Sequence, residues 1–576
     1  MNKREIDSTS REGTGTMKLK NNVAAKAIAA GLSFALAMGG VAAPATLAFA
    51  SGTGNVTIAK RDNGDTTTMT GYQIFTADVA DVEGVKVASN VAWANGSVKT
   101  IVENAIKAAT NNSYSGTTAQ DAADWLHDNQ TQSGNSVVLD YNSFLDNLAQ
   151  TLRTAGGMTT AAVTPGTASS LDAGYWLFLT DKTSTDDASK VDQVGTSPIY
   201  TLVGASDLNI TQKTNLPTVD KWINDDSTFA NPNWVKAADS QADQTVKYKL
   251  QGTMVDTIKA YDTYYYKFTD TLDAGLTADK DSVVVKIQDK AGNEKVISSG
   301  YTTGLITDSS DSSKSVLAVT FQDLKTATTE DGATVALDKD TKINVYYSAK
   351  LDPSKAYKIA GEHNDNTVYL TYSNNPGTES HGNTTPATVR DYTYKLQVTK
   401  IDSAASDNKL AGAKFTIQAT TPDDTASTGK YVHSNGTLVD TAYEFVTGSD
   451  GTFSVQGLDA GTYTVTETEA PTGYNTIKPF TFTITPVFNA EKTELTKIAA
   501  EKYEENGTNV AITGVETALD STVQTISLVV SDKAGGTLPL TGQAGVTLTW
   551  VAGGVVLAFG ITHLVRSRKR DENSAE

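Results

Sequence analysis

Between residues 245 and 374 the chain repeats one kind of segment: TVKYKLQGTMV, TYYYKFTDTL, SVVVKIQD, SVLAVTFQDL, TKINVYYSAKL and NTVYLTYSN. Each run is short, rich in β-branched and aromatic residues, and separated from the next by Gly, Asp or Asn turns. That pattern suits strands of an antiparallel β-sandwich. A second series, YKLQVTKID, AKFTIQAT, YEFVTGSDGTFSV, GTYTVTETEAP, FTFTITP and TISLVVSD, predicts a smaller sandwich ending at Asp532. Upstream, NVTIAKR, GYQIF, YWLFLTD and SPIYTLVG read as strands, while TAQDAADWLHDN and YNSFLDNLAQTLRTAG place apolar residues at helical spacing. With 576 residues the chain is too long for one core. The expected modules are 51–214, 215–380 and 390–533, with the polar stretch GTESHGNTTPATVRD around Pro386 as a linker.

Both ends carry signals of another kind. From Met17 the segment MKLKNNVAAK is basic, an apolar run follows, and Ala48-Phe49-Ala50 closes it, the layout of a secretory signal peptide over residues 1–50. Gly545 to Val565 is largely apolar and long enough to span a hydrocarbon core as a helix, and Arg566, Arg568, Lys569 and Arg570 follow at once. Leu538-Pro539-Leu540-Thr541-Gly542 stands directly before it, and 538–576 form one unit. The formal charge of −19 argues against nucleic acid or anionic membrane as a ligand. With no cysteine, the secreted chain has no disulfide to strengthen it. No HExxH or GxSxG motif appears and the five histidines are scattered, so neither a turnover enzyme nor a metal or cofactor is expected.

The order of pentapeptide, apolar span and basic tail resembles the sorting signal of Gram-positive surface proteins. That resemblance implies that a sortase cuts between Thr541 and Gly542 and passes Thr541 to an amine. Residues Tyr463 to Tyr474, YTVTETEAPTGY, resemble the E-box of Gram-positive pilins, with Val465 for the usual Leu. Strand alternation puts Tyr463, Val465 and Glu467 on one face. A carboxylate on an apolar face is costly unless neutral or paired. Pro217 to Lys221, PTVDK, Asp270 in DTLDAGL and Tyr372 to Pro376, YSNNP, resemble the fimbrial isopeptide-forming domain.

The resemblance implies self-formed isopeptide bonds. A buried lysine, held neutral, attacks an Asn or Asp side-chain carbon while a buried acid relays protons. In the second module Lys221 is then the nucleophile, Asp270 the acid and Asn374 the acceptor. In the third, Lys400 is the nucleophile and Glu467 the acid. The usual Asn of the last strand is absent there, which leaves either a Lys400–Asp532 bond or none. In the first module Leu179 stands where an acid would fall, so no bond to Lys60 is expected. Leu208 to Lys213, LNITQK, resembles the pilin motif with Thr-Gln for Tyr-Pro, and makes Lys213 the amine that receives Thr541 of the next subunit.

Taken together, the chain resembles the shaft (backbone) pilins of sortase-assembled pili. The implied fold is all-β, with tandem immunoglobulin-like (Cna-type) sandwiches, inserted helices in the first and a C-terminal transmembrane helix. The implied partners are pilin-specific and housekeeping sortases, other copies of the chain, minor pilins and peptidoglycan, on the cell-wall surface. The alternative is an anchored adhesin or basal pilin that does not polymerise.

Overall fold

The computed structural model describes residues 52–535 and an isolated pair at 35–36; within 52–535 it omits all or part of 61–66, 83–84, 129–142, 182–197, 213–215, 225, 356–361, 378, 423–424, 504–509 and 514–524. Apart from that pair, the segment 1–50 expected as a signal peptide lies outside the described residues, as do Lys213 and the whole segment 538–576. Among the described residues no helix is long and apolar enough to cross a membrane.

The chain is built of strands gathered around separate cores. In the first, Met69–Val82, Val85–Trp93, Gly174–Thr180 and Ile199–Val203 form an antiparallel sheet. Three helices, Gly96–Ala109, Ala119–Asp128 and Phe144–Thr154, pack on it. The last two are the helices expected from the sequence; the first is additional. Asn95 caps it by accepting from Val98 N at 3.0 Å, and Val98, Val102 and Ile106 give it a buried stripe at four-residue spacing. A small second sheet sets Leu208–Ile210 parallel to Thr53–Ile58, with Ile210 opposite Ile58.

The second core lies between two seven-stranded sheets. One holds Val219–Asn224, Thr245–Thr253 and Lys342–Leu351 side by side. The other pairs Tyr266–Leu272 with Asn364–Ser373, so that Asp270 stands opposite Val368 and Leu272 opposite Asn366. The stretch expected as a linker instead completes this sheet. His381–Asn383 and Ala387–Tyr392 both pair with Asn364–Ser373, antiparallel. A Pro-containing run reads as a loop, but Pro386 falls between the two strands, where no ladder hydrogen bond is lost.

In the third core Tyr394–Asp402 pairs parallel with Thr525–Asp532, placing Lys400 opposite Val530 and Asp402 opposite Asp532. The facing sheet contains Lys414–Pro422, Gly461–Glu469 and Phe480–Phe488. Parallel pairing of strands so far apart in sequence needs a long crossover, which the rest of the unit supplies.

Candidate functional site

Among the described residues the second and third sandwiches each contain one lysine with no solvent exposure. Along Val219–Asn224 the alternation Val219, Lys221, Ile223 points inward, so Lys221 takes a core position and is 0% exposed. Its Nζ lies 2.5 and 2.7 Å from the two carboxylate oxygens of Asp270, which is also fully buried and comes from the opposite sheet. The Tyr347 hydroxyl donates to Asp270 Oδ2 at 2.5 Å and lies 3.3 Å from Lys221 Nζ. Tyr248 and Tyr347 flank the amine with their rings, at 5.1 and 5.5 Å from the centroids.

The amide beside this cluster is that of Asn366. Its Nδ2 donates to the Tyr347 hydroxyl at 2.5 Å, and its Oδ1 is buried with no hydrogen-bond partner among the described residues. Asn374, expected as the acceptor, stands elsewhere. It follows the end of the same strand, eight residues on, which is roughly 25 Å of extended chain. There Ser380 Oγ donates to its Oδ1 at 2.7 Å, and its carbonyl accepts from Gly195 N of the first unit. Asn375 donates to Asp181 O at 3.0 Å. The Ser-Asn-Asn-Pro stretch therefore clamps the first unit against the second. Asn366 was recognisable from parity, since it alternates inward with Val368, Leu370 and Tyr372.

Burial lowers the Lys221 amine to about 8, against the opposing pull of Asp270. Compared with an ordinary lysine, about 300-fold more of it is neutral at pH 7. An amine whose neutral form is within reach, a carboxylate and a primary amide in one dry pocket are the components of an acyl transfer with ammonia as leaving group.

The cluster also makes unreacted protein pH-sensitive. Because the folded amine titrates below its unfolded value of 10.5, the unfolded chain holds more protons between about 8 and 10.5. Stability of Asn366→Ala, whose amine stays free, rises with pH across that window by up to about 3 kcal/mol. Urea melts of this variant, set against Asn366→Ala/Lys221→Met, measure the rise; a difference that is flat with pH contradicts it.

In the third unit Lys400 occupies the same kind of position, in the inward parity of Leu396 and Val398, with 0% exposure. Its Nζ donates to Asp532 Oδ1, on the neighbouring parallel strand, and lies 2.9 Å from Glu467 Oε1 of the facing sheet without hydrogen-bond alignment. The other Glu467 oxygen accepts from Ile477 N at 2.8 Å. Tyr463 and Val465 are fully buried beside it, and Phe415 stacks under the amine at 5.3 Å. Gly451 turns with φ +70° against the Lys400 carbonyl, where a Cβ would come within 2.9 Å of that oxygen. Burial raises both the Glu467 and Asp532 carboxyls, more strongly than Lys400 lowers them. One acid is thereby disposed to hold a proton beside the amine.

The first unit has no such cluster at the expected place. Leu179 is buried in its core and Lys60 is exposed.

Residues 394–499 match the family described as SpaA, prealbumin-like fold domain. No curated protein matches the chain. Among solved structures it is similar to the T6 backbone pilin of serotype M6 Streptococcus pyogenes, at 15% identity and TM-score 0.47, covering 85% of this chain and 100% of that one. The full-length major pilin SpaD of Corynebacterium diphtheriae gives 14% identity and TM-score 0.41, covering 86% and 100%. BcpA, the major pilin subunit of Bacillus cereus, gives 15% identity and TM-score 0.36, covering 84% and 100%.

Proposed function

We propose that this chain is the shaft subunit of a covalent pilus on a Gram-positive cell wall, and that its second and third modules lock themselves with isopeptide bonds. One observation carries the reading: each of these sandwiches buries a lysine against an acid and a carboxyl or amide acceptor, in a chain without cysteine. Such clusters are costly as stability devices alone, because apolar residues of equal volume serve as well or better. They are explained if the lysine is consumed in a reaction.

In the second module Lys221 Nζ attacks Asn366 Cγ, the C–Nδ2 bond breaks and ammonia leaves. In the third, Lys400 Nζ attacks Asp532 Cγ and water leaves, with Glu467 handling the protons. Each bond forms once per molecule, so the domain is its own substrate. The first bond ties one sheet to the other. The second ties two adjacent parallel strands, the first and last of the module, so that tension enters and leaves the chain without peeling the sheet.

The modules 51–214, 215–380 and 390–533 would then stack along the shaft, although Ala387–Tyr392 extends the middle one. A pilin sortase would join Thr541 of one subunit to Lys213 of the next, and a housekeeping sortase would join the last Thr541 to peptidoglycan. Tandem mass spectrometry of polymer released from the cell wall tests this. The expected result is a branched peptide joining Thr541 to Lys213. Thr541 found only on cell-wall peptide, with Lys213 always a free amine, would replace the shaft subunit with an anchored adhesin or basal pilin.

A further inference from the structure

We infer that the Tyr347 hydroxyl is a catalytic group of the second module, carrying the proton from Asp270 to the departing nitrogen of Asn366. The inference rests on the proposed Lys221–Asn366 bond.

Amide exchange at Asn366 has a proton problem. The attacking Nζ gains a bond and must lose a proton, while Nδ2 must gain one to leave as ammonia and not as an amide anion. Asp270 solves only the first half. Its two oxygens lie 2.5 and 2.7 Å from Nζ, well placed to receive that proton. The hydrogen-bond partners of its carboxylate among the described residues are Lys221 and Tyr347, and Asn366 is not one of them. Likewise, the Asn366 amide donates to the Tyr347 hydroxyl, and its other polar neighbour, Tyr248, makes no hydrogen bond to Asp270 among the described residues. Among the described residues the hydroxyl is thus the bridge between acid and leaving group, at 2.5 Å from each.

The direction of those two bonds fits a relay. Before reaction Tyr347 donates to Asp270 Oδ2 and accepts from Nδ2. Attack on Cγ turns Nδ2 from a planar amide, whose lone pair is delocalised, into an amine with a free lone pair. Asp270, having taken the proton from Nζ, becomes a donor. Both hydrogen bonds then reverse without movement of heavy atoms. Asp270 Oδ2–H donates to the tyrosine oxygen, and the tyrosine O–H donates to Nδ2. As the C–Nδ2 bond breaks, Tyr347 passes its proton to nitrogen and takes the one from Asp270. The acid returns to carboxylate, the hydroxyl is restored, and one proton has moved from Nζ to the leaving ammonia.

Burial and the neighbouring Asp270 hold the phenol well above its ordinary titration range, so it stays protonated and ready to donate. Position supports the same role. Tyr347 sits on Lys342–Leu351, in the same sheet as Lys221, while Asp270 and Asn366 come from the opposite sheet. The hydroxyl spans the core where the new bond must form. In the third module no hydroxyl is needed, since Lys400 touches both acids directly.

The test is the rate of ammonia loss, read by intact mass of the full chain at successive times after a pulse of synthesis. Tyr347→Phe should slow that loss by about 100-fold, the scale of one proton-transfer group. Water loss at Lys400 in the same molecules should keep its rate. Substitution of Tyr347 by a ring-fluorinated tyrosine keeps the hydroxyl and the packing but makes the phenol more acidic, and should change the rate several-fold; this decides the matter should the Phe variant not fold. Parent rates in the folded Phe variant or in the fluorinated chain would overturn the relay. Absence of ammonia loss in the parent itself would instead overturn the Lys221–Asn366 bond on which it rests.

Discussion

Asn366→Ala is expected to abolish the loss of one ammonia from the chain and to lower the unfolding free energy of the second sandwich by about 5 kcal/mol, whereas Asn374→Ala leaves the ammonia loss intact. The magnitude follows from loop closure. A Lys221–Asn366 bond closes a loop of about 145 residues, and removing such a constraint returns roughly that much conformational freedom to the unfolded chain. Truncating Asn366 also leaves the Tyr347 hydroxyl without one buried partner, a smaller cost of about 1–3 kcal/mol. Intact mass and urea melts of the two variants separate the acceptors. Ammonia loss that survives Asn366→Ala and disappears in Asn374→Ala would reverse the assignment.

The second large effect is expected at Glu467. Glu467→Gln keeps the shape of the side chain and an oxygen to accept from Ile477 N, but cannot exchange a proton with Lys400 or Asp532. Water loss should slow at least about 100-fold. The unlinked unit should lose about 5 kcal/mol, since Lys400 and Asp532 are 132 residues apart. Asp532→Asn provides the counterpart. The same amide product forms, but the departing molecule is ammonia. Time-resolved intact mass reads both variants, and linkage at the parent rate in Glu467→Gln would remove the acid from the reaction.

The site residues differ in how far the sequence betrays them, for physical reasons. Lys221, Lys400, Glu467 and Asp532 stand out because each places an ionisable group in the inward parity of a strand otherwise filled with Val, Leu, Ile or Tyr. A charge there demands an explanation, and motif resemblance supplied one. Asn366 carried the same parity signal, but an uncharged amide is less conspicuous than a charge. The Ser-Asn-Asn-Pro motif drew attention to Asn374, which holds two modules together. Tyr347 gave no signal at all. A tyrosine in an inward position is ordinary core, and only the distances from its hydroxyl to two other strands reveal what it touches.

The fold divides in the same way. Turn-bounded alternation along 245–374 reveals strands because each strand is a local pattern. Which strands become neighbours depends on contacts far apart in sequence. The parallel pairing of Tyr394–Asp402 with Thr525–Asp532 leaves no local trace, and neither does the placement of Ala387–Tyr392 in the second sandwich. The helix Gly96–Ala109 was legible in Asn95 and its four-residue stripe, yet Lys, Glu and Thr around the stripe weaken the contrast on which such reading depends.

Tandem mass spectrometry of proteolytic peptides from the purified full chain decides whether the two bonds form. Two cross-linked pairs are expected, Lys221 with Asn366 short by one ammonia and Lys400 with Asp532 short by one water. Linear peptides in which both lysines carry free amines would contradict that.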